Sequence, residues 1–344
     1  MTVQIAGEVR ETGRIPLVGA GSVPSSAGGI GHLFARFNSI DEMRACGPLP
    51  EDAQRQIDER VVRVALNRLV VVRNLMEAGL VFPLDDPIGT PELIWDQISQ
   101  MNDAKRAMIP GHGERQLPDR PRITLPIYCT YATNSIDIRT LRASQKSGAP
   151  LDLEFISTMT RSVNERIEDA AINGALVTVK GNTTPGLINA PSVGTFVYAG
   201  GEAWDAAGKT GAEILEDVLG MIKVLQGVFY FGPYHLWIPT LYGVALANQY
   251  TADFPRTIRS MLEDIDVGGG KLTISVADQL PADRTVMAQM TSDVVDIVDG
   301  QQPTAFSWTS PDGWNVFITV LAFEVPRTRD TITGQSGIVT GFTS

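Results

Sequence analysis

The stretch nearest to a chemical motif is Ala203 to Thr210, AWDAAGKT, a relaxed phosphate-loop pattern with Ala for the first glycine. It follows a short strand and precedes a helix, the context such a loop requires. A phosphate cradle presents backbone N–H groups in a close-fitting turn. Here Trp204, Asp205 and Glu202 put bulk and negative charge into that turn. Thr210 and Glu213 form a capping box that accounts for the local sequence without a ligand. Nucleotide binding stays the alternative from the enzyme class.

Other reactive side chains are scattered. Glu165, Glu168 and Asp169 cluster on one segment and could suggest a carboxylate metal site, but no histidine is near. Arg161 and Arg166 are available as intrahelical partners, so a charge-balanced solvated face is expected and no metal or cofactor. His32, His112 and His235 fall in three separate regions, and no Ser or Cys sits in a nucleophile-elbow pattern. Cys46 and Cys129 lie far apart, with neither a disulfide framework nor zinc spacing. No catalytic residue is assigned.

The elements that would position these residues belong to a chain of 344 residues with 43% hydrophobic content, enough for one large domain or two modest ones. No apolar run approaches a membrane span, and no secretory signal opens the chain. The net charge of −11 argues against tight duplex binding, which needs Lys and Arg to neutralise phosphates. Residues 211–300 hold 12 Asp and Glu against 5 Lys and Arg, so much of the acid sits there.

The best-punctuated helix begins at Asp152, an N-cap, with Leu151 and Ile156 as a hydrophobic staple. Ile156, Met159, Val163, Ile167 and Ala170 recur at three- and four-residue steps, and Gly174 closes a rod of roughly 30 Å. Residues 50–79 are expected as one longer helix of roughly 40 Å, opened by Pro50 and closed by Gly79. Ahead of it lies a Gly- and Ser-rich arm whose Phe34 and Phe37 are anchors that a purely solvating tail would not need. Glu92 to Met101 fits a strand or a short helix, and Ile123 through Ile138 has strand composition. The intervening tip carries Lys105, Arg106, Arg115, Arg120 and Arg122 against three acidic residues. A polar tip of this length suits a protruding hairpin that reaches a neighbour. Further on, a helix is expected from Gly211 to about Gln226, a buried strand at Trp237-Ile238-Pro239, a helix from Thr240, and another over 256–265. Strands are expected at 271–277, 285–290, 294–298, 305–309 and 314–325, the last one central because it is apolar on both faces. Helices and strands interleave without a βαβ repeat, which indicates an α+β fold.

A long helix ending in Glu168-Asp169, two small residues and Asn173-Gly174, then Pro185-Gly186-Leu187, resembles the spine-helix region of tailed-bacteriophage major capsid proteins and encapsulins. The turn Gly232-Pro233-Tyr234 and the run from Val294 to Arg329 look like that family's central domain and closing segment. The resemblance implies the Hong Kong 97-type capsid fold, with an N-terminal arm (1–49), a long helix and lead-in (50–89) and an E-loop hairpin (90–125). A P domain with the spine helix (126–194), an A domain (195–300) and C-terminal strands returning to the P domain (301–344) would follow.

It also implies a structural protein that self-assembles into an icosahedral shell around double-stranded DNA, without sequence-specific binding, in the virion. The partners would be copies of itself in pentamers and hexamers, with scaffold, portal or decoration proteins beside them. The alternative within the fold is an encapsulin nanocompartment holding cargo enzymes. Contacts between copies are expected at Phe34, Phe37, Lys105, Arg106, Arg115, Arg120, Arg122, Arg161, Glu165 and Glu168. Some shells of the family cross-link a loop lysine to a neighbour's asparagine, and Lys105 is the one lysine of the projected tip. The chain opens on Met1, so the expectation is that no scaffolding segment has been trimmed from it.

Overall fold

A computed structural model describes residues 69–97, 120–147, 154–251, 254–267 and 270–344, with Ile57, Val61 and Met108. The arm, the hairpin tip, and the expected cap and staple at Leu151 and Asp152 lie outside the described residues.

Helix α1 (Val71–Glu77) leads through strand β1 (Val81–Pro83) to β2 (Glu92–Asp96), β3 (Arg122–Pro126) and β4 (Thr130–Asp137). Helix α2 (Ile138–Ser147) precedes the spine helix α3 (Glu154–Asn173), and β5 (Ala175–Val179) and β6 (Asn182–Thr184) form a small hairpin after it. The chain continues through β7 (Gly194–Val197), α4 (Gly211–Gly227), β8 (Tyr234–Ile238), α5 (Thr240–Leu246), β9 (Gln249–Thr251), β10 (Phe254–Thr257) and α6 (Ile258–Glu263). It closes through β11 (Thr273–Val276), β12 (Arg284–Gln289), β13 (Val295–Thr309), β14 (Asn315–Thr328) and β15 (Ile338–Phe342).

Two sheets carry the architecture. One has the order β1-β13-β14-β4 and the other β11-β8-β12-β15-β7. β14 is central in the first, as its doubly apolar sequence predicts, and Val316, Ile318, Val320 and Ala322 are fully buried on its face toward the main core. Two expected strands at 294–298 and 305–309 are one strand, β13, which stays paired with β14 across register shifts between Asp299 and Thr304. Within that pair Asp299 stands directly opposite Glu324. The terminal strand β15 lies between β12 and β7 in the five-stranded sheet, so the end of the chain joins that sheet and not the one holding β13 and β14.

Ile156, Met159, Val163, Ile167 and Ala170 of α3 are all buried, the stripe that the sequence spacing requires. The helix ends at Gly174, whose φ of 80° is left-handed. The run 186–189 then folds back onto that end: Leu187 and Ile188 donate N–H bonds to the carbonyls of Ala171 and Ile172 at 2.9 and 3.0 Å. Asn189 Nδ2 donates to Asn173 O at 2.7 Å, and Asn189 Oδ1 accepts from Gly186 N. The otherwise orphaned carbonyls of the last turn are thereby satisfied. A Cβ on Gly186 would land on the Gly174 nitrogen and the Ile172 carbonyl, so only glycine fits this close approach.

Two further expectations are corrected. Residues 50–79 are not one helix: Leu69 and Val70 are non-helical, although Ile57 and Val61 are helical and buried. Ile138 starts α2 instead of extending β4; Asp137 Oδ1 accepts from Arg139 N at 3.0 Å, and this turn ends the strand. Residues 175–184, to which the sequence reading assigns no strand, form a β-hairpin turning at Lys180-Gly181.

Candidate assembly surfaces

The charged residues of α3 divide between two environments. Arg161 Nε meets Glu165 Oε1 at 2.9 Å and Arg166 meets Asp169 at 3.5 Å, on the solvent side, as the sequence spacing suggests. Such exposed intrahelical pairs contribute only about 0.3–0.5 kcal/mol each, so this face is available for other contacts.

Glu168 does not belong to that face. It is 1% exposed and caps α1 from a distance of almost a hundred residues. Val71 N–H donates to Oε1 at 2.6 Å, Val70 N–H to Oε1 at 3.2 Å and Val72 N–H to Oε2 at 3.2 Å. Burial raises its pKa, the three backbone donors oppose that, and Asp278 adds to the rise. Helix α1 starts at Val71, and the carboxylate takes the N–H groups of Val70, Val71 and Val72 that a continuous helix would use internally. A signal was present: Thr160, Asn164 and Glu168 follow at four-residue steps beside the apolar stripe, and all three are buried.

Of the segment expected as a strand or short helix, Glu92–Asp96 is a strand at the hairpin root, where β2 and β3 pair in register from Glu92↔Pro126 to Asp96↔Arg122. The root is braced on the body. Gln97 Nε2 donates to both the carbonyl and Oδ1 of Asp330 at 2.7 Å, and Lys180 meets Glu92 at 3.0 Å. Arg327, held in a buried pair by Asp296, lies over the rings of Phe82 and Trp95 at 4.5 and 5.5 Å. Arg122 projects at the open end beside Asp96 at 3.6 Å, and Arg120 is exposed next to it. Lys105, Arg106 and Arg115 of the tip, and Phe34 and Phe37 of the arm, lie outside the described residues.

The phosphate-loop-like stretch is used structurally. Lys209 Nζ is buried, pairs with Asp217 at 3.0 Å and donates to the carbonyl of Ala199 at 2.6 Å. Asp217 also accepts from the Trp204 indole at 3.0 Å and from Ala199 N–H at 2.6 Å. Thr210 and Glu213 form the expected capping box at the start of α4. The lysine a phosphate would need is therefore turned inward. The adjoining cleft of about 730 Å³ is lined by Leu241, Val244, Ile258 and Tyr250.

His235 is the one histidine among the described residues. Its Nε2 is 3.0 Å from both Asn74 Nδ2 and Ser275 Oγ, and its ring stacks on Trp237 at 4.6 Å. Because Asn74 Nδ2 can only donate, Nε2 acts there as an acceptor, and burial pushes its pKa down to about 4. A neutral, buried ring whose acceptor nitrogen is occupied braces structure and is not arranged as a general base for a substrate. Burial pushes the Cys129 thiol up to about 12, away from the nucleophilic thiolate. Among the described residues no three or more metal-ligating side chains converge.

Comparison with known proteins places this geometry. A family model described as Family of unknown function (DUF6260) matches residues 43–341. No curated protein matches. Among solved structures, the virus-like particle from Pyrococcus furiosus is similar at a TM-score of 0.58 and 16% identity, covering 84% of this chain and 98% of that one. The capsid of Myoviridae phage XM1 is similar at 0.56 and 11% identity, covering 81% of this chain and 100% of that one. The capsid of the native GTA particle gives 0.56 and 15% identity, covering 80% of this chain and 91% of that one. The chain therefore has the Hong Kong 97-type capsid fold, the α+β architecture expected from its order of elements.

Proposed function

The chain belongs to the family of unknown function DUF6260, and from that premise we propose that it is the shell-forming subunit of a tailed-phage capsid. The observation that carries this reading is the fold match along nearly the full length of capsid and virus-like-particle subunits. Three features of the chain support it. The hairpin root is fixed to the body by Gln97, Glu92 and Trp95. The outer face of the spine helix carries self-paired charges. The one nucleotide-site candidate is spent on an internal ion pair.

In this reading the function resides in surfaces and not in catalysis. The arm (1–49), the hairpin (90–125) and the acidic A domain (195–300) make contacts with other copies, using Phe34, Phe37, Lys105, Arg106, Arg115, Arg120 and Arg122. Arg161 and Glu165 do so on the spine helix. Each contact is weak alone, and closure of a symmetric shell multiplies them. The chain's net charge of −11 suits a shell that encloses double-stranded DNA without holding it tightly. Scaffold, portal or decoration proteins would join it in the virion, assembled in the host cytoplasm.

The alternative within the same fold is a nanocompartment shell around protein cargo. Expressing the full chain and imaging the product tests the class. Closed particles support a shell, whereas a monomer under all conditions contradicts both versions. Packaged nucleic acid as against packaged protein then separates them.

A further inference from the structure

Helix α1 is held at both of its turns by polar side chains from two different layers. At its first turn the spine helix supplies Glu168 to the N–H groups of Val70, Val71 and Val72. One turn later Asn74 reaches the five-stranded sheet, donating through Nδ2 to His235 Nε2 on β8 and to Ser275 Oγ on β11, each at 3.0 Å. His235 Nε2 and Ser275 Oγ are also 3.0 Å apart, which closes a three-membered network. We propose that α1 is a strut between the spine helix and the five-stranded sheet, and that acid loosens it at the sheet end, breaking the Asn74–His235 bond and leaving Asn74 held by Ser275 alone, while the spine end holds.

The two joints respond to protons in opposite senses. At the sheet joint the acceptor is a neutral imidazole nitrogen. Protonation would set an Nε2–H against the Nδ2 hydrogens of Asn74, replacing a hydrogen bond by two donors face to face. Because the folded pKa of about 4 lies below the ordinary 6.5, the stability that this bond contributes is complete above 6.5 and declines as pH falls, while the bond itself persists in the folded protein until pH approaches 4. At the spine joint burial raises the pKa of Glu168, so acid favours the protonated carboxyl in place and does not drive it into water.

The neighbours leave this assignment intact. The ring of His235 meets Trp237 on its own strand, Asn74 on α1 and Ser275 on β11, and Ala288 is its register partner on β12. None of these is charged. Arg73 and Glu77 of α1 pair with each other at the surface, 3.6 Å apart, and Asp278 acts on Glu168. Glu168 accepts at the spine end of α1, so the strut stays with the spine helix when the sheet end loosens.

The test uses the full chain with Cys46 and Cys129 replaced by serine. Spin labels are placed at Arg166→Cys on the exposed face of α3 and at Lys223→Cys on α4. Their distance distribution is measured from pH 7 to pH 4, with circular dichroism alongside. The strut predicts one narrow distribution at pH 7 that is kept at pH 6 and shifts or broadens as pH falls from about 5 to 4 while the helical signal is kept. His235→Gln, which retains an acceptor that does not titrate, should hold the pH 7 distribution down to pH 4. An unchanged wild-type distribution at pH 4 overturns the proposal. So does a change shared by His235→Gln, or one that appears only together with loss of helical signal. The labelled chain is diluted into excess unlabelled chain, so the distances are those within one copy whether or not shells close, and failure here is distinct from failure of the capsid reading.

Discussion

Glu168 Oε1 accepts the N–H of Val71 at 2.6 Å, and this bond joins the spine helix to a helix almost a hundred residues earlier in the chain. It serves the same end as an N-cap, but the capping group comes from across the core. Replacing Glu168 with alanine leaves three buried N–H groups without an acceptor. The expected loss is about 2–4 kcal/mol in the urea midpoint at unchanged slope. A change below about 0.5 kcal/mol would mean that the first turn of α1 is satisfied in some other way.

Gly186 should tolerate no side chain. The Cβ of Gly186→Ala meets backbone atoms of Gly174 and Ile172, which cannot rotate away, so a loss of roughly 2–4 kcal/mol is expected. Gly227→Ala, where a Cβ meets nothing within 4 Å, is the control and should change the thermal midpoint little. Equal midpoints for the two variants would refute the docking of 186–189 on the helix end.

Lys209 separates the structural account from nucleotide binding. Its removal in Lys209→Met strands Asp217 in the interior, a change expected to cost about 3–5 kcal/mol. Millimolar ATP should leave the wild-type melting temperature unmoved. A saturable rise with ATP that Lys209→Met abolishes would restore the phosphate-loop reading.

Glu324 sets a pH dependence. It is 2% exposed, stands opposite Asp299, and is pushed up to about 8 by burial first and by the Asp299 charge second. A carboxyl whose folded pKa is raised contributes stability that is complete below about 4.5 and is lost as pH rises through about 8. Glu324→Gln cannot ionise. Its stability relative to wild type should climb across that window, by up to about 5 kcal/mol, and then level off. Parallel urea midpoints for the two proteins from pH 5 to pH 9 would contradict this.

What the sequence made legible was local. The stripe of α3, the left-handed Gly174, the Thr210–Glu213 capping box and the central position of β14 each depend on residues within a few positions of one another. The order of these parts was enough to identify the fold. What stayed hidden depends on distant partners. Nothing near Leu69 interrupts the helical pattern of 50–79, because the group that caps the start of α1 is Glu168. Likewise nothing local marks Lys209 as buried, since its partners are Asp217 and the carbonyl of Ala199. The expectation that Glu168 joins Arg161 and Glu165 on the surface failed for the same reason: helical spacing gives a face, but not what packs on it. The hairpin root was anticipated as a projection, while its attachment through Gln97 to Asp330 joins residues more than two hundred positions apart.

The most direct test of the central claim is the mass and shape of the purified full-length protein, read by light scattering and electron microscopy at near-physiological salt. The capsid account predicts closed, symmetric particles of megadalton mass built from this chain. A homogeneous monomer of 37.2 kDa across protein concentration and salt would contradict it.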